Sequence, residues 1–146
     1  MHTRGFTLFE MLAVILLIGI AAAAVSIPIT QGLASARVNA ASGEMAAALR
    51  WTRAQSIVKG ESLALEVDTS ASTYKAPGKS LVALPKDMHV SMTSAREDQV
   101  NATTGRIRFF PDGSSTGGRI TLTRGQREWH VNVAWLTGAV SVVDSK

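Results

Sequence analysis

The chain has 146 residues and is 46% hydrophobic, which suits one folded domain and excludes a disordered or purely solvating sequence. The 15 Lys+Arg against 11 Asp+Glu leave a net charge of +4, an excess too small to name a nucleic-acid or lipid partner by itself. Without cysteine there is no disulfide framework, thiolate nucleophile or cysteine-bound metal, and His2, His89 and His130 have no ligand spacing, so neither a metal nor a cofactor is expected.

The first predicted element is apolar. Residues 11–25 read MLAVILLIGIAAAAV without a polar side chain, and the stretch 6–29 reaches the roughly 20 residues that a membrane-spanning helix needs. A removable secretory signal would need a basic start, an apolar core and a small-residue cleavage site. His2, Arg4, residues 11–20 and the alanines at 21–24 imitate that order. Glu10 spoils the imitation, because an acid carried to mid-membrane costs roughly 2.5–3.5 kcal/mol and is expected only with a partner or a shallow position. In a plain anchor, Glu10 would lie at the headgroup level.

The string Arg4-Gly5-Phe6-Thr7-Leu8-Phe9-Glu10-Met11-Leu12 resembles the N-terminal motif of type IV pilins and pseudopilins: a short basic leader, then Gly, Phe, Thr, Leu, any residue and Glu before a long apolar helix. The resemblance implies that a prepilin peptidase cuts after Gly5 on the cytoplasmic side and methylates the new terminus at Phe6. It also implies that Glu10 pairs with the freed amino group of a neighbouring subunit when the helices bundle. An ammonium and a carboxylate brought together among apolar helices satisfy one another, whereas either alone is strongly penalised. His2 and Arg4 fit the positive-inside bias, which places the N-terminus in the cytoplasm and the head across the membrane; in a Gram-negative envelope that is a single-pass inner-membrane protein with a periplasmic head.

Beyond the apolar stretch, Ala34, Val38, Ala41, Met45, Ala48 or Leu49, and Thr52 recur at steps of four and three, which predicts an amphipathic helix. Joined to the anchor it runs from about Phe6 to about Val58 and stops at Lys59-Gly60, with a cation in the last turn and glycine at the cap. Pro28 and Gly32 predict a kink or an unwound stretch over 24–32. The expected organisation is a leader at 1–5, a membrane and assembly helix at 6–29, an amphipathic helix at 30–60 and a β-rich head at 61–146.

After Gly60 the apolar period switches to two. Strands are predicted at 62–68, 73–76, 81–84, 89–93, 106–110, 119–123, 128–134 and 139–143. The fold class is α+β, with the helix packed on an antiparallel sheet or sandwich that buries Ile107, Phe109, Ile120, Leu122, Trp129, Val131, Val133, Val140 and Val142.

A second motif is IRFFPDGSSTGGRI at 107–120. It resembles the C-terminal signature of the GspH/FimT family, and its Pro-Asp-Gly, Ser and Gly-Gly pattern is most similar to the GspH branch. No motif is matched between about 69 and 104. The resemblance implies a non-enzymatic minor pseudopilin near the tip of a type II secretion pseudopilus that helps export folded proteins across the outer membrane. The implied partners are other minor pseudopilins, the major pseudopilin, the prepilin peptidase, the inner membrane and the secretion assembly platform.

Other chemistries are weaker on the residues. The glycines at 113, 117 and 118 suggest a phosphate cradle, but a P-loop needs Gly-Lys-Ser/Thr opening a helix, and a tight hairpin accounts for them better. Asp112, Ser114 or Ser115 and His130 are the residue types of a hydrolase triad without a nucleophile elbow. Gly105-Arg106-Ile107-Arg108 resembles the GRxR pattern of DNA-binding FimT pilins, which makes Arg106 and Arg108 candidate nucleic-acid contacts and a FimT-like minor pilin the alternative function. Here the pattern lies before the Pro-Asp-Gly loop rather than near the chain end, and alternation places both arginines on an outer strand face.

Overall fold

A computed structural model describes residues 7–145, with the side chains of 24–35 outside the description. The elements are α1 (Leu8–Lys59), β1 (Leu63–Asp68), β2 (Thr73–Lys75), β3 (Val82–Ala83), β4 (His89–Ser94), a short 3-10 turn (Arg96–Asp98), β5 (Thr104–Phe109), β6 (Gly118–Arg124), β7 (Arg127–Val133) and β8 (Val140–Ser145). All eight expected strands are present, each within two residues of its expected ends. The helix is assigned without interruption from Leu8 to Lys59, so the unwound stretch expected at 24–32 does not break it. A lone proline removes one intrahelical donor and leaves the flanking hydrogen bonds intact.

The chain divides into two units, Met1–Arg37 and Val38–Lys146. In the second unit the helical residues from Val38 onward share one core with two antiparallel sheets, ordered β3-β2-β1-β5 and β4-β6-β7-β8. From the helix come Val38, Ala41, Met45, Ala46 and Leu49; from the sheets come Leu65, Val67, Tyr74, Ile107, Phe109, Ile120, Leu122, Trp129 and Val131. Each large side chain buried here contributes roughly 1.5–3 kcal/mol. The helix face also buries three hydroxyls, each with an acceptor: Ser42 Oγ to Asn39 O (3.0 Å), Thr52 Oγ1 to Ala48 O (2.8 Å) and Ser56 Oγ to Arg53 O (2.7 Å).

The helix ends in a Schellman arrangement. Glu61 N–H bonds Ser56 O and Gly60 N–H bonds Ile57 O, with Gly60 at φ 66.

Two expectations are corrected. Val142 is 40% exposed and Val140 only partly buried. Both lie on β8, the edge of its sheet, opposite Val131 and Val133, where the inner face is no longer fully covered. The Pro-Asp-Gly segment does not close a hairpin between neighbouring strands, because β5 and β6 belong to different sheets. It makes a tight turn with a single bridge, Phe109 to Ser115, and then crosses over at Gly117 and Gly118.

Candidate functional site

The N-terminal motif sets the start of α1. Thr7 caps the helix: its Oγ1 accepts the Glu10 N–H at 3.2 Å, which is half of a capping box with the spacing Thr-x-x-Glu. Glu10 therefore lies in the first turn, where a carboxylate favours the helix dipole. Its side chain is exposed, and no cation among the described residues pairs with it. Gly5 and Phe6, the expected processing residues, lie outside the described residues. Leu8, Phe9, Leu12, Ile15, Leu16, Leu17, Ile18 and Ile20 are all exposed, and residues 11–23 are apolar on every face and buried on none. Among the described residues no helix is long and apolar enough to cross a membrane. The side chains of 24–29 that would complete the expected span are outside the description.

The second motif forms a junction. Phe110 O accepts from Gly113 N–H at 2.9 Å, with Pro111 presetting the turn and Gly113 at φ 85. Asp112 Oδ1 accepts from Ser114 N–H (2.9 Å) and Ser114 Oγ (2.6 Å). These bonds, the hydroxyl first, hold the Asp112 carboxyl below its ordinary value of 3.8. Arg53 of α1 donates Nε–H to Gly113 O at 2.9 Å, and Ser56 Oγ donates to Phe110 O at 3.1 Å. The loop between β7 and β8 joins from the other side: Ser115 N–H bonds Trp135 O (2.8 Å), and Ser115 Oγ bonds Ala134 O (3.1 Å). At Gly117 a side chain would strike Trp135, and at Gly118 the carbonyl of Thr93. The glycines are thus required by backbone approach.

That accounting removes the phosphate cradle. The N–H groups of residues 113 to 117 are all donated internally, to Phe110 O, Asp112 Oδ1, Trp135 O, Arg108 O and Ser115 Oγ, leaving no convergent donors for an anion. The triad candidates are likewise engaged elsewhere. Asp112 and Ser114 bond one another, while His130 Nδ1 bonds Thr121 Oγ1 at 3.1 Å and its Nε2 lies 3.8 Å from Glu128. Among the described residues no group of three His, Cys, Asp or Glu can hold a metal ion.

Arg106 and Arg108 project from the outer face of β5, between the buried Ile107 and Phe109. Arg108 donates Nε–H (3.1 Å) and Nη2–H (2.8 Å) to Asp98 Oδ1, whose side chain is only 1% exposed. Arg106 Nε lies 3.1 Å from Glu66 Oε1, close enough to attract but out of line for a hydrogen bond. Strand register explains the second pair, since Glu66 sits opposite Arg106. Asp98, Glu66, Arg53 and Asn39, which accepts from the Trp129 indole N–H at 3.0 Å, carry no local sequence signal. The Thr7 cap, by contrast, has a local signal in the spacing Thr7-x-x-Glu10.

A family model described as "Type II transport protein GspH" matches residues 41–138, and a "Prokaryotic N-terminal methylation motif" matches residues 1–26. A type II secretion system protein H from Xanthomonas campestris pv. campestris is 41% identical over 137 residues, covering 94% of this chain and 81% of that protein. The minor pseudopilin EpsH from the type 2 secretion system of Vibrio cholerae shares the fold at a TM-score of 0.57 and 8% identity, covering 73% of this chain and 95% of that one. The chain belongs to the GspH family of type II transport proteins.

Proposed function

We propose that the chain is a minor pseudopilin of a type II secretion system, a structural subunit with no catalytic task. The observation that carries this reading is Glu10, exposed in the first turn of an apolar helix, beside a family match that covers most of the folded head. A carboxylate in that setting needs a counter-charge when the helix enters a membrane or a helix bundle. The amino terminus freed by cleavage after Gly5 supplies one from a neighbouring subunit. In this reading the helix anchors the subunit in the inner membrane at 6–29, the head lies in the periplasm, and assembly draws the helix into a bundle with the other minor and the major pseudopilins, near the pseudopilus tip. The prepilin peptidase and the assembly platform are the expected membrane partners.

The FimT-like alternative rests on Arg106 and Arg108, and both are already drawn into ion pairs within the head. Mass spectrometry of the membrane-extracted protein tests the processing step. The reading requires a terminus at N-methylated Phe6; a terminus after the alanines at 21–24 contradicts it.

A further inference from the structure

The outer face of the first sheet carries an unbalanced cluster of charge. Across β2, β1 and β5 the register aligns Lys75, Glu66 and Arg106 in one row, with Ala64 and Arg108 opposite one another in the next. Ala64 is the small residue of this face, and above it lies an open depression of about 370 Å³, lined among others by Ala64, Glu66, Lys75, Pro77, Arg106 and Arg108. Three cations and two acids share this face: Asp98 engages Arg108 and Glu66 lies beside Arg106, which leaves one positive charge in excess. Lys75 has no ion pair among the described residues. Arg106 Nε is buried with no hydrogen-bond partner, although Glu66 Oε1 lies 3.1 Å away. That nitrogen has no solvent access, so what Arg106 offers an incoming group is the exposed part of its side chain, which is 35% accessible as a whole.

We infer that this depression binds a carboxylate side chain on an acidic segment of a partner protein. Arg106 supplies the exposed donors of its guanidinium, Lys75 a second positive charge, and Arg108, held by Asp98, the wall. Shape and charge favour a protein carboxylate over a nucleic acid. A polyanion gains affinity from many phosphate contacts, whereas this site offers a few cations with Glu66 in their midst. Nor does it carry an exposed aromatic for base stacking: Tyr74, on the same sheet, is buried. The inference goes beyond the pseudopilin reading and does not depend on it.

The test is fluorescence anisotropy on the full chain in detergent, with three labelled probes: a blocked peptide alternating glutamate and serine, its glutamine counterpart, and a single-stranded oligothymidylate of equal length. The glutamate peptide is expected to bind about tenfold more tightly than the glutamine peptide, a difference one charge-assisted hydrogen bond accounts for, and to weaken with added salt. Arg106→Gln and Lys75→Gln each lower that affinity, Arg106→Gln by about tenfold. Arg119→Gln, on the other sheet, leaves it unchanged. Because Arg108→Gln strips the partner from a buried acid and can unfold the head, the test does not rest on that variant. Equal binding of the two peptides, no binding of either, or indifference to Arg106→Gln and Lys75→Gln overturns the inference. Tighter binding of the oligothymidylate through the same two residues overturns it in favour of a nucleic-acid site.

Discussion

Arg53 and Gly113, 60 residues apart, are joined by a 2.9 Å hydrogen bond from the guanidinium Nε–H to the glycine carbonyl. Through it the last turns of α1 grip the turn that follows β5, and Gly138 of the β7–β8 loop packs against both residues. The Pro-Asp-Gly signature is therefore a structural clasp in which helix, first sheet and second sheet meet. Arg53→Met should lower head stability by about 1.5–3 kcal/mol, the usual worth of a hydrogen bond from a charged donor. Gly138→Ala should cost more than about 2 kcal/mol, since Gly138 has φ 62 and a Cβ there would strike the Gly113 carbonyl. Chemical denaturation of both variants checks the order.

Asn39 and Trp129 form the second tie between helix and sheet. Asn39→Leu leaves the buried indole N–H without its acceptor and should cost about 1–3 kcal/mol. Trp129→Phe removes the donor and leaves the amide oxygen of the exposed Asn39 to water, so it should cost less per polar group lost, apart from its smaller volume. A double-mutant cycle read by denaturation isolates the pair.

Arg108→Met leaves Asp98, almost wholly buried, without its ion-pair partner. Breaking a fully buried pair costs about 3–5 kcal/mol, but Arg108 is 39% exposed, so solvent screening reduces the expected loss to about 2–3 kcal/mol. The Asp98→Asn, Arg108→Met double variant should recover part of it. A double variant no more stable than Arg108→Met would contradict the assignment.

Asp112 and Asp68 share one arrangement. Each carboxylate accepts from the hydroxyl two residues on, Ser114 and Ser70, and then from backbone N–H groups, and each is held below 3.8. For a depressed carboxylate, stability is present above the unfolded value and is lost as pH falls through the folded one. Both loops should therefore keep their turns at pH 5 and loosen only below 3.8, with Ser114→Ala raising the Asp112 value. Carboxyl NMR titration measures this directly. Tyr74 runs the other way: burial, aided by Glu44, pushes its phenol above 10.0, so its contribution is complete below that value and disappears as pH rises through the folded one.

The legible part of this fold is its local periodicity. Leu63, Leu65 and Val67, or Trp129, Val131 and Val133, alternate along the chain and announce half-buried strands, and Lys59-Gly60 announces the helix stop. Sheet membership is not local. Nothing in Gly117-Gly118 says that β6 leaves the sheet of β5, and Val142 reads like Val131 although only one of them lies under cover. The same limit hid Asp98 and Glu66 from the reading of Arg106 and Arg108, since strand pairing and a separate 3-10 turn supply those partners. At the N-terminus the motif itself is local and legible, and Thr7 capping Glu10 adds its physical reason.

The central claim is that this subunit works in protein secretion and that Glu10 is its assembly device. The most direct measurement deletes the gene and scores secreted hydrolase activity alongside transformation and pilus formation, with complementation by the natural chain and by Glu10→Ala. The account predicts that secretion fails with cargo held in the periplasm while transformation persists, and that the natural chain restores secretion but Glu10→Ala does not. Intact secretion with loss of transformation or pili would contradict it and assign the protein to a pilus.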